Sequence, residues 1–204
     1  MDNMEFDFID KKNPLILAST SPRRMRLLEQ IKMPFLCIPS GVEENSIKGE
    51  PSYVARFFAE KKAKAVYPGS GKRWILGADT IVIYDDIILG KPVDHTDVVR
   101  MLNLLSAQRH EVISGFCLID PSGKTAFLHH ESTIVKMKGI SSEEIEGYIR
   151  TGEPFGKAGA YAVQGIGSFM IESISGSYSN VVGLPLCPLI KALISVSAIG
   201  GFPL

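Results

Sequence analysis

The stretch Trp74-Ile-Leu-Gly-Ala-Asp79-Thr80-Ile-Val-Ile-Tyr84 is an apolar run broken near its centre by one carboxylate. Ile75, Leu76, Ile81, Val82 and Ile83 favour extended backbone, and a run of this length, with Gly and Lys before it and Asp-Asp after it, predicts a buried strand. An ionised Asp79 there costs several kcal/mol, roughly, unless a cation, a set of hydrogen bonds or a shifted pKa meets it. Backbone amides would satisfy a lone aspartate. The clusters of cations and glycines elsewhere in the chain point instead to a convergence on Asp79 around a polyanion and a metal.

Upstream, Leu15 to Ala18 reads as a short strand that runs straight into Ser19-Thr20-Ser21-Pro22-Arg23-Arg24. Ser21 is placed to cap a helix, Pro22 suits its first position, and Leu27, Leu28 and Ile31 make its apolar stripe. Arg23 and Arg24 then sit in the first turn, where the helix dipole disfavours each cation by about 0.3–1 kcal/mol. A bound anion reverses that sign, and free N–H groups, hydroxyls and two guanidiniums make a phosphate site. The alternative is a solvated basic helix end.

Phe35 to Ile38 reads as a second strand, and a long helix is predicted from Pro51 to about Tyr67. Its inward residues are read as Tyr53, Val54, Phe57, Phe58 and Ala65, and its outward ones as Glu60, Lys61, Lys62 and Lys64. Pro68-Gly-Ser-Gly-Lys72-Arg73 mimics the tail of a P-loop, but Val66 stands at the first glycine position and Arg73 at the Ser/Thr position. Downstream, Gly90-Lys91-Pro92 puts a lysine on a tight turn, and Asp94 to Ala107 reads as a helix. His110 to Asp120 and Ala126 to Met137 read as a hairpin of long strands. Ser141-Ser-Glu-Glu144 is a capping box opening a helix to about Arg150. Between Gly152 and Gly165, small residues surround Lys157 and let backbone approach a ligand closely. Phe169 to Ile174 reads as a strand, 176–185 as a loop, and Pro188 to Ile199 as a terminal helix.

Bulk properties narrow the function. Lys+Arg and Asp+Glu both number 22, and this balance argues against a non-specific nucleic-acid binder, which is usually markedly basic. The 204 residues suffice for one domain, read as 13–204 after a disordered or variable leader at 1–12. Cys37, Cys117 and Cys187 lie in apolar runs without a CxxC spacing, which reads as buried free thiols in a reducing compartment, hence a cytoplasmic protein. The N-terminus lacks the basic and apolar regions of a signal peptide, and Pro185, Pro188 and Lys191 interrupt the only candidate membrane segment. The four histidines lack metal-ligand spacing such as HExxH. In an α/β sheet the polar features at strand ends gather on one edge and form a cleft. Two carboxylates with several cations suit a magnesium-bridged polyphosphate and its hydrolysis by water.

Six ordered blocks carry a resemblance: Ala18-Ser-Thr-Ser21-Pro-Arg-Arg24, Gly77-Ala-Asp-Thr80-Ile-Val82, Gly90-Lys-Pro92, Gly152-Glu-Pro154, Lys157-Ala-Gly-Ala-Tyr161 with Gln164-Gly165, and Gly176-Ser-Tyr178 with Asn180-Val-Val-Gly-Leu-Pro185. Over about residues 13 to 197 the chain resembles the Maf family of nucleotide pyrophosphatases. The resemblance implies an α/β fold shared with inosine triphosphate pyrophosphatases: an elongated, curved mixed sheet flanked by helices, with a cleft between two lobes. It also implies a homodimer, a divalent cation (magnesium, manganese or cobalt), and hydrolysis of a nucleoside triphosphate to the monophosphate and pyrophosphate. By position, Asp79 resembles the general base and, with Glu44, a metal ligand. Arg23, Thr80 and Gln164 match specificity positions, and Ser19, Arg24, Lys62, Lys91 and Lys157 match other polar cleft residues. The Lys-Ala-Gly-Ala-Tyr…Gln block resembles the branch acting on dTTP and UTP. Gly156 stands where the family usually has Asp, and Glu43-Glu44-Asn45 where Asp-Glu-Thr is common. Two rivals are an aspartyl-nucleophile phosphatase, which usually needs a carboxylate where Ile81 stands, and a non-catalytic nucleotide-binding regulator of cell division.

Overall fold

The computed structural model describes residues 6–43 and 49–204. The Asp79 stretch is the longest strand of the early half, β3 (Ile75–Tyr84). On one edge it takes two partners in turn. Its beginning pairs in parallel with β1 (Leu15–Leu17), which pairs in parallel with β2 (Phe35–Cys37). Its end pairs antiparallel with β4 (Ile87–Leu89). Among the described residues, no strand pairs this edge between Leu76 and Val82, so Asp79 and Thr80 border an opening. On the other edge β3 pairs throughout with β5 (Arg109–Ile119), followed by β6 (Thr125–Met137) and β7 (Ile171–Ser175), all antiparallel. The result is a mixed seven-stranded sheet in the order β2-β1-β3-β5-β6-β7, with β4 beside β3.

Helices cover the sheet in a way their sequences explain. Pro22 opens α1 (Pro22–Gln30), and α2 (Pro51–Val66) is capped by the Glu50 carboxylate, which accepts from the amides of Ser52 and Tyr53. Asp94 caps α3 (His95–Leu105), and the Ser141/Glu144 capping box forms at α4 (Ser142–Arg150). Two buried clusters flank the opening. One joins Leu15, Leu17, Leu27, Leu28, Trp74 and Phe116 to Leu189 and Leu193 of α6 (Leu186–Ser195). The other joins Val82, Val98, Leu102, Val112 and Met137 to Ile145 and Tyr148.

Several expectations need correction. Ser21 stands at the N-cap of α1 but makes no side-chain cap; its own amide donates to Ser19 Oγ at 3.2 Å. Tyr53 and Ala65 are exposed, both being out of phase with the buried stripe of α2. The loop expected at 176–185 contains the short α5 (Tyr178–Val182), held by the Ser177 hydroxyl on the Asn180 amide rather than by any apolar period. The terminal helix starts and ends earlier than expected, closing where Ser197 takes a left-handed backbone. Only Cys117 is buried; Cys37 lies on the edge strand β2 and Cys187 near the start of α6, both exposed. The described part of the leader packs on the core: Ile9 is 2% exposed and its amide donates to Ala198 O, while Phe6 meets Trp74 edge-on. Phe6 and Ile9 supply the apolar surface that ties this segment down, while Phe8 is exposed.

Candidate active site

The floor of the site is made by close approach of backbone. Gly77 and Gly115 face α2, and a Cβ on Gly77 would overlap the Ala59 carbonyl while one on Gly115 would sit 2.5 Å from the Ala55 carbonyl. With Ala55, Ala59 and Ala63 on the facing side, helix and sheet approach more closely than larger residues permit. Asp79 lies two residues beyond Gly77, on the same face of β3. At that spacing Lys62 of α2 reaches it, with Nζ 2.6 Å from Asp79 Oδ1 and both residues 6% exposed. Lys62 was expected to face outward. The structure buries it because Ala55, Phe58, Ala59, Lys62, Ala63 and Val66 form one continuous stripe, and a stricter count of the helical period would have found it there.

Arg24 and Arg23 divide their work. Arg24 is buried, and its guanidinium donates from Nε to Gly183 O at 2.9 Å, from Nη1 to Ser19 Oγ at 3.2 Å and from Nη2 to Thr80 Oγ1 at 3.2 Å. Thr80 Oγ1 in turn meets Ser114 Oγ at 2.8 Å, and Ser114 Oγ donates to Asn180 O at 3.0 Å. Arg24 thereby ties the turn after β1 to β3 and to the end of α5. Arg23 is half-buried and faces the opposite wall. Burial pulls its guanidinium below the usual arginine value, while the nearby Tyr148 hydroxyl and Glu153 carboxylate act the other way.

That opposite wall is the segment 153–167, which carries Lys157 and Gln164. Its middle is pinned to β4 by the Gly159 amide, which donates to Gly90 O at 3.0 Å, next to Lys91. Gly159 has φ +68° and rests against Val82, so a side chain there would be both strained and crowded. Lys157 Nζ donates to Glu153 O. Burial lowers the Lys157 pKa, Arg23 lowers it further, and Glu153 opposes both. Gln164 Oε1 is buried without a hydrogen-bond partner, an acceptor aimed at nothing in the protein. Tyr161, in the same segment, is held from beneath by His110, with Nε2 and the phenol oxygen 2.7 Å apart.

Ser19, Arg23, Arg24, Lys62, Asp79, Thr80, Lys91, Lys157 and Gln164 all line one cavity of about 840 Å³. Glu44 lies outside the described residues. Among the described lining residues, six arginines and lysines face two carboxylates, Asp79 and Glu153, in a chain whose net charge is zero. The cations are therefore concentrated here, and the cavity suits an anion of several charges. Three residues escaped the sequence reading: Glu153, Tyr161 and Ser114. Glu153 and Tyr161 lie inside the resemblance blocks, but only their tertiary partners show what they hold. Among the described residues, no three His, Cys, Asp or Glu side chains gather to hold a metal by themselves. Glu153 is committed to three donors, leaving Asp79 as the lining carboxylate suited to a hard cation that arrives on phosphate oxygens.

Fold and cleft together define an α/β protein with a cation-lined cleft beside a buried, cation-paired carboxylate. Residues 14–196 match the family model described as Maf-like protein, and the chain belongs to that family. It is 51% identical over 174 residues to a dTTP/UTP pyrophosphatase of Ruminiclostridium cellulolyticum, covering 84% of this chain and 90% of the relative. A dTTP/UTP pyrophosphatase of Syntrophotalea carbinolica is 45% identical, with 93% of this chain and 88% of the relative covered, and that of Aquifex aeolicus is 41% identical, with 92% and 97% covered. Among solved structures, a HAM1 protein from Coxiella burnetii aligns at 13% identity and a TM-score of 0.41, over 61% of this chain and 73% of that one.

Proposed function

We propose that the chain is a nucleoside triphosphate pyrophosphatase acting on dTTP and UTP, releasing the monophosphate and pyrophosphate and clearing unwanted nucleotides from the cytoplasmic pool. The observation that carries this reading is the Lys62–Asp79 pair at the floor of a cavity whose walls are cationic. Lys62 holds the carboxylate in place at the floor of the cavity, where Asp79 takes a proton from water. The water oxygen then bonds to the α-phosphorus as the bridge to the β-phosphate breaks, and pyrophosphate leaves. Arg23, Lys91 and Lys157 offset the charge of the phosphate chain, and Arg24, engaged with Ser19 and Thr80, fixes the turn that faces it. Gln164, which lines the cavity, supplies the amide that reads the base, with Arg23 and Thr80 as the neighbouring specificity positions. A divalent cation, magnesium, manganese or cobalt, held by Asp79 with Glu44 as the second carboxylate, would draw further charge from the phosphate oxygens. A homodimer is the expected assembly.

The test is pyrophosphate release from dTTP and UTP with magnesium or manganese. Asp79→Asn should keep the fold by circular dichroism and cut turnover at least about a hundredfold. An unchanged rate removes Asp79 from the role of base. A single turnover of dTTP radiolabelled at the α-phosphorus, quenched in acid, should leave no label on the protein; label retained on the protein would mean a covalent aspartyl route.

A further inference from the structure

Glu153 closes a loop. Its Oε1 accepts from the Tyr148 hydroxyl at 3.0 Å and from the Gly167 amide at 2.8 Å, and its Oε2 accepts from the Ile166 amide at 3.0 Å. The side chain at one end of the segment 153–167 thus grips the backbone at the other end, and Tyr148 of α4 anchors the grip to the buried core. Gly165 has φ +86°, and a Cβ there would overlap the Glu153 carboxylate, so the neck is closed as tightly as backbone allows. Gln164 stands immediately before this neck, with its buried Oε1 unpartnered. Lys157 is folded back onto the Glu153 carbonyl. Gly159 on Gly90 ties the middle of this wall, and near Gln164 the Ala162 backbone meets the same Tyr148 hydroxyl that Glu153 holds.

We infer that Glu153 is the positioning residue that aims Gln164 at the nucleobase, so that selectivity for pyrimidine over purine triphosphates depends on the Glu153 neck. A carboxylate is required rather than an amide. All three groups at the neck are donors, and a glutamine would turn its NH2 toward one of them, leaving that amide unmet and the neck loosened. Arg23 and Lys157 both feel the Glu153 charge, which places the neck beside the cations of both cleft walls.

This inference rests on the proposed nucleotide site but is read by binding rather than turnover, so the two can fail separately. Equilibrium dissociation constants are measured for α,β-methylene dTTP and α,β-methylene dGTP on the wild-type chain, Glu153→Gln, Gln164→Ala and the double variant, with thermal unfolding of each. The expected result is that Glu153→Gln lowers the preference for the thymine analogue about tenfold, the loss of one well-formed buried hydrogen bond. In the Gln164→Ala background the same change should then lower it no further. A merely structural role predicts a lower unfolding temperature with both analogues weakened equally and the preference intact; that outcome overturns the inference, as does additivity in the double variant. A wild-type chain that binds the thymine analogue no better than the guanine one overturns it too. A wild-type chain that prefers the thymine analogue but hydrolyses no dTTP refutes the proposed activity alone.

Discussion

The two walls that meet at the cleft are built on opposite principles. The floor, where α2 lies on β3 and β5, is rigid because small residues bring backbone against backbone: Gly77 and Gly115 on the sheet, Ala55, Ala59 and Ala63 on the helix. The wall of residues 153–167 has little regular structure and is held at points, by Glu153 at its neck, Gly159 on Gly90 in its middle and His110 beneath Tyr161. The difference matches the tasks proposed for them. A buried charge pair needs an environment that cannot relax around it, whereas a surface that reads one base among several is more easily varied when few contacts aim it.

Removing the floor's cation should give the largest effect. Lys62→Met leaves Asp79 buried without its ammonium, a change that costs about 3–5 kcal/mol. At about 2–4 °C per kcal/mol for a chain of this size, the unfolding temperature should fall by roughly 10 °C. A scan showing less than a degree of change would mean that floor and wall do not differ as argued.

Acid should strike the wall first. Burial pushes the His110 pKa down from 6.5 to about 4, so the folded chain refuses a proton that the unfolded chain accepts. The stability His110 contributes is present in full above about pH 6.5 and is lost as pH falls toward about 4, a span worth about 3 kcal/mol. Denaturant midpoints measured across that window should fall with pH, and His110→Gln should flatten that part of the profile. Since His110 meets Tyr161 at 2.7 Å, the Tyr161 segment should loosen in hydrogen exchange before the α2 floor does.

Glycine substitutions sharpen the contrast at smaller scale. Gly115→Ala forces α2 off the sheet and should cost about 1–3 kcal/mol or more, because backbone atoms cannot move aside as a side chain can. Gly156→Ala, in the wall, meets nothing within 4 Å and incurs only the strain of φ +73°, about 1 kcal/mol. Chemical denaturation of both variants measures the pair; equal losses would remove the distinction. The open space at Gly156 also shows that this position holds no packing role.

Much of this was legible before any fold was known. The Asp79 strand, the Pro22 helix start and the Ser141 capping box are local signals, carried by a few adjacent side chains, and each formed within a residue or two of its expected place. The nine described cleft residues meet in one cavity; Lys62 was named from the resemblance alone, the others also as polar residues at strand ends and helix starts. Lys62 marks the limit of local reading. Taken by its charge it faces water, and taken by its place in the stripe through Ala59 and Ala63 it faces the core; charge was the misleading guide. The short α5 was missed because five residues hold no period; its Ser177 cap is local, but its Asn180 contacts to Val112 and Thr133 come from elsewhere in the chain.

By itself the amino-acid order determined where most strands and helices begin, which faces are apolar, and that a carboxylate in a buried strand needs a partner such as a cation. Which cation answers was decided only in three dimensions, because two absent side chains, at Gly77 and Gly115, bring a helix close enough for Lys62 to reach across. The role of Glu153 likewise exists only there, since the amides it gathers lie 13 and 14 residues away along the chain and become neighbours when the loop closes.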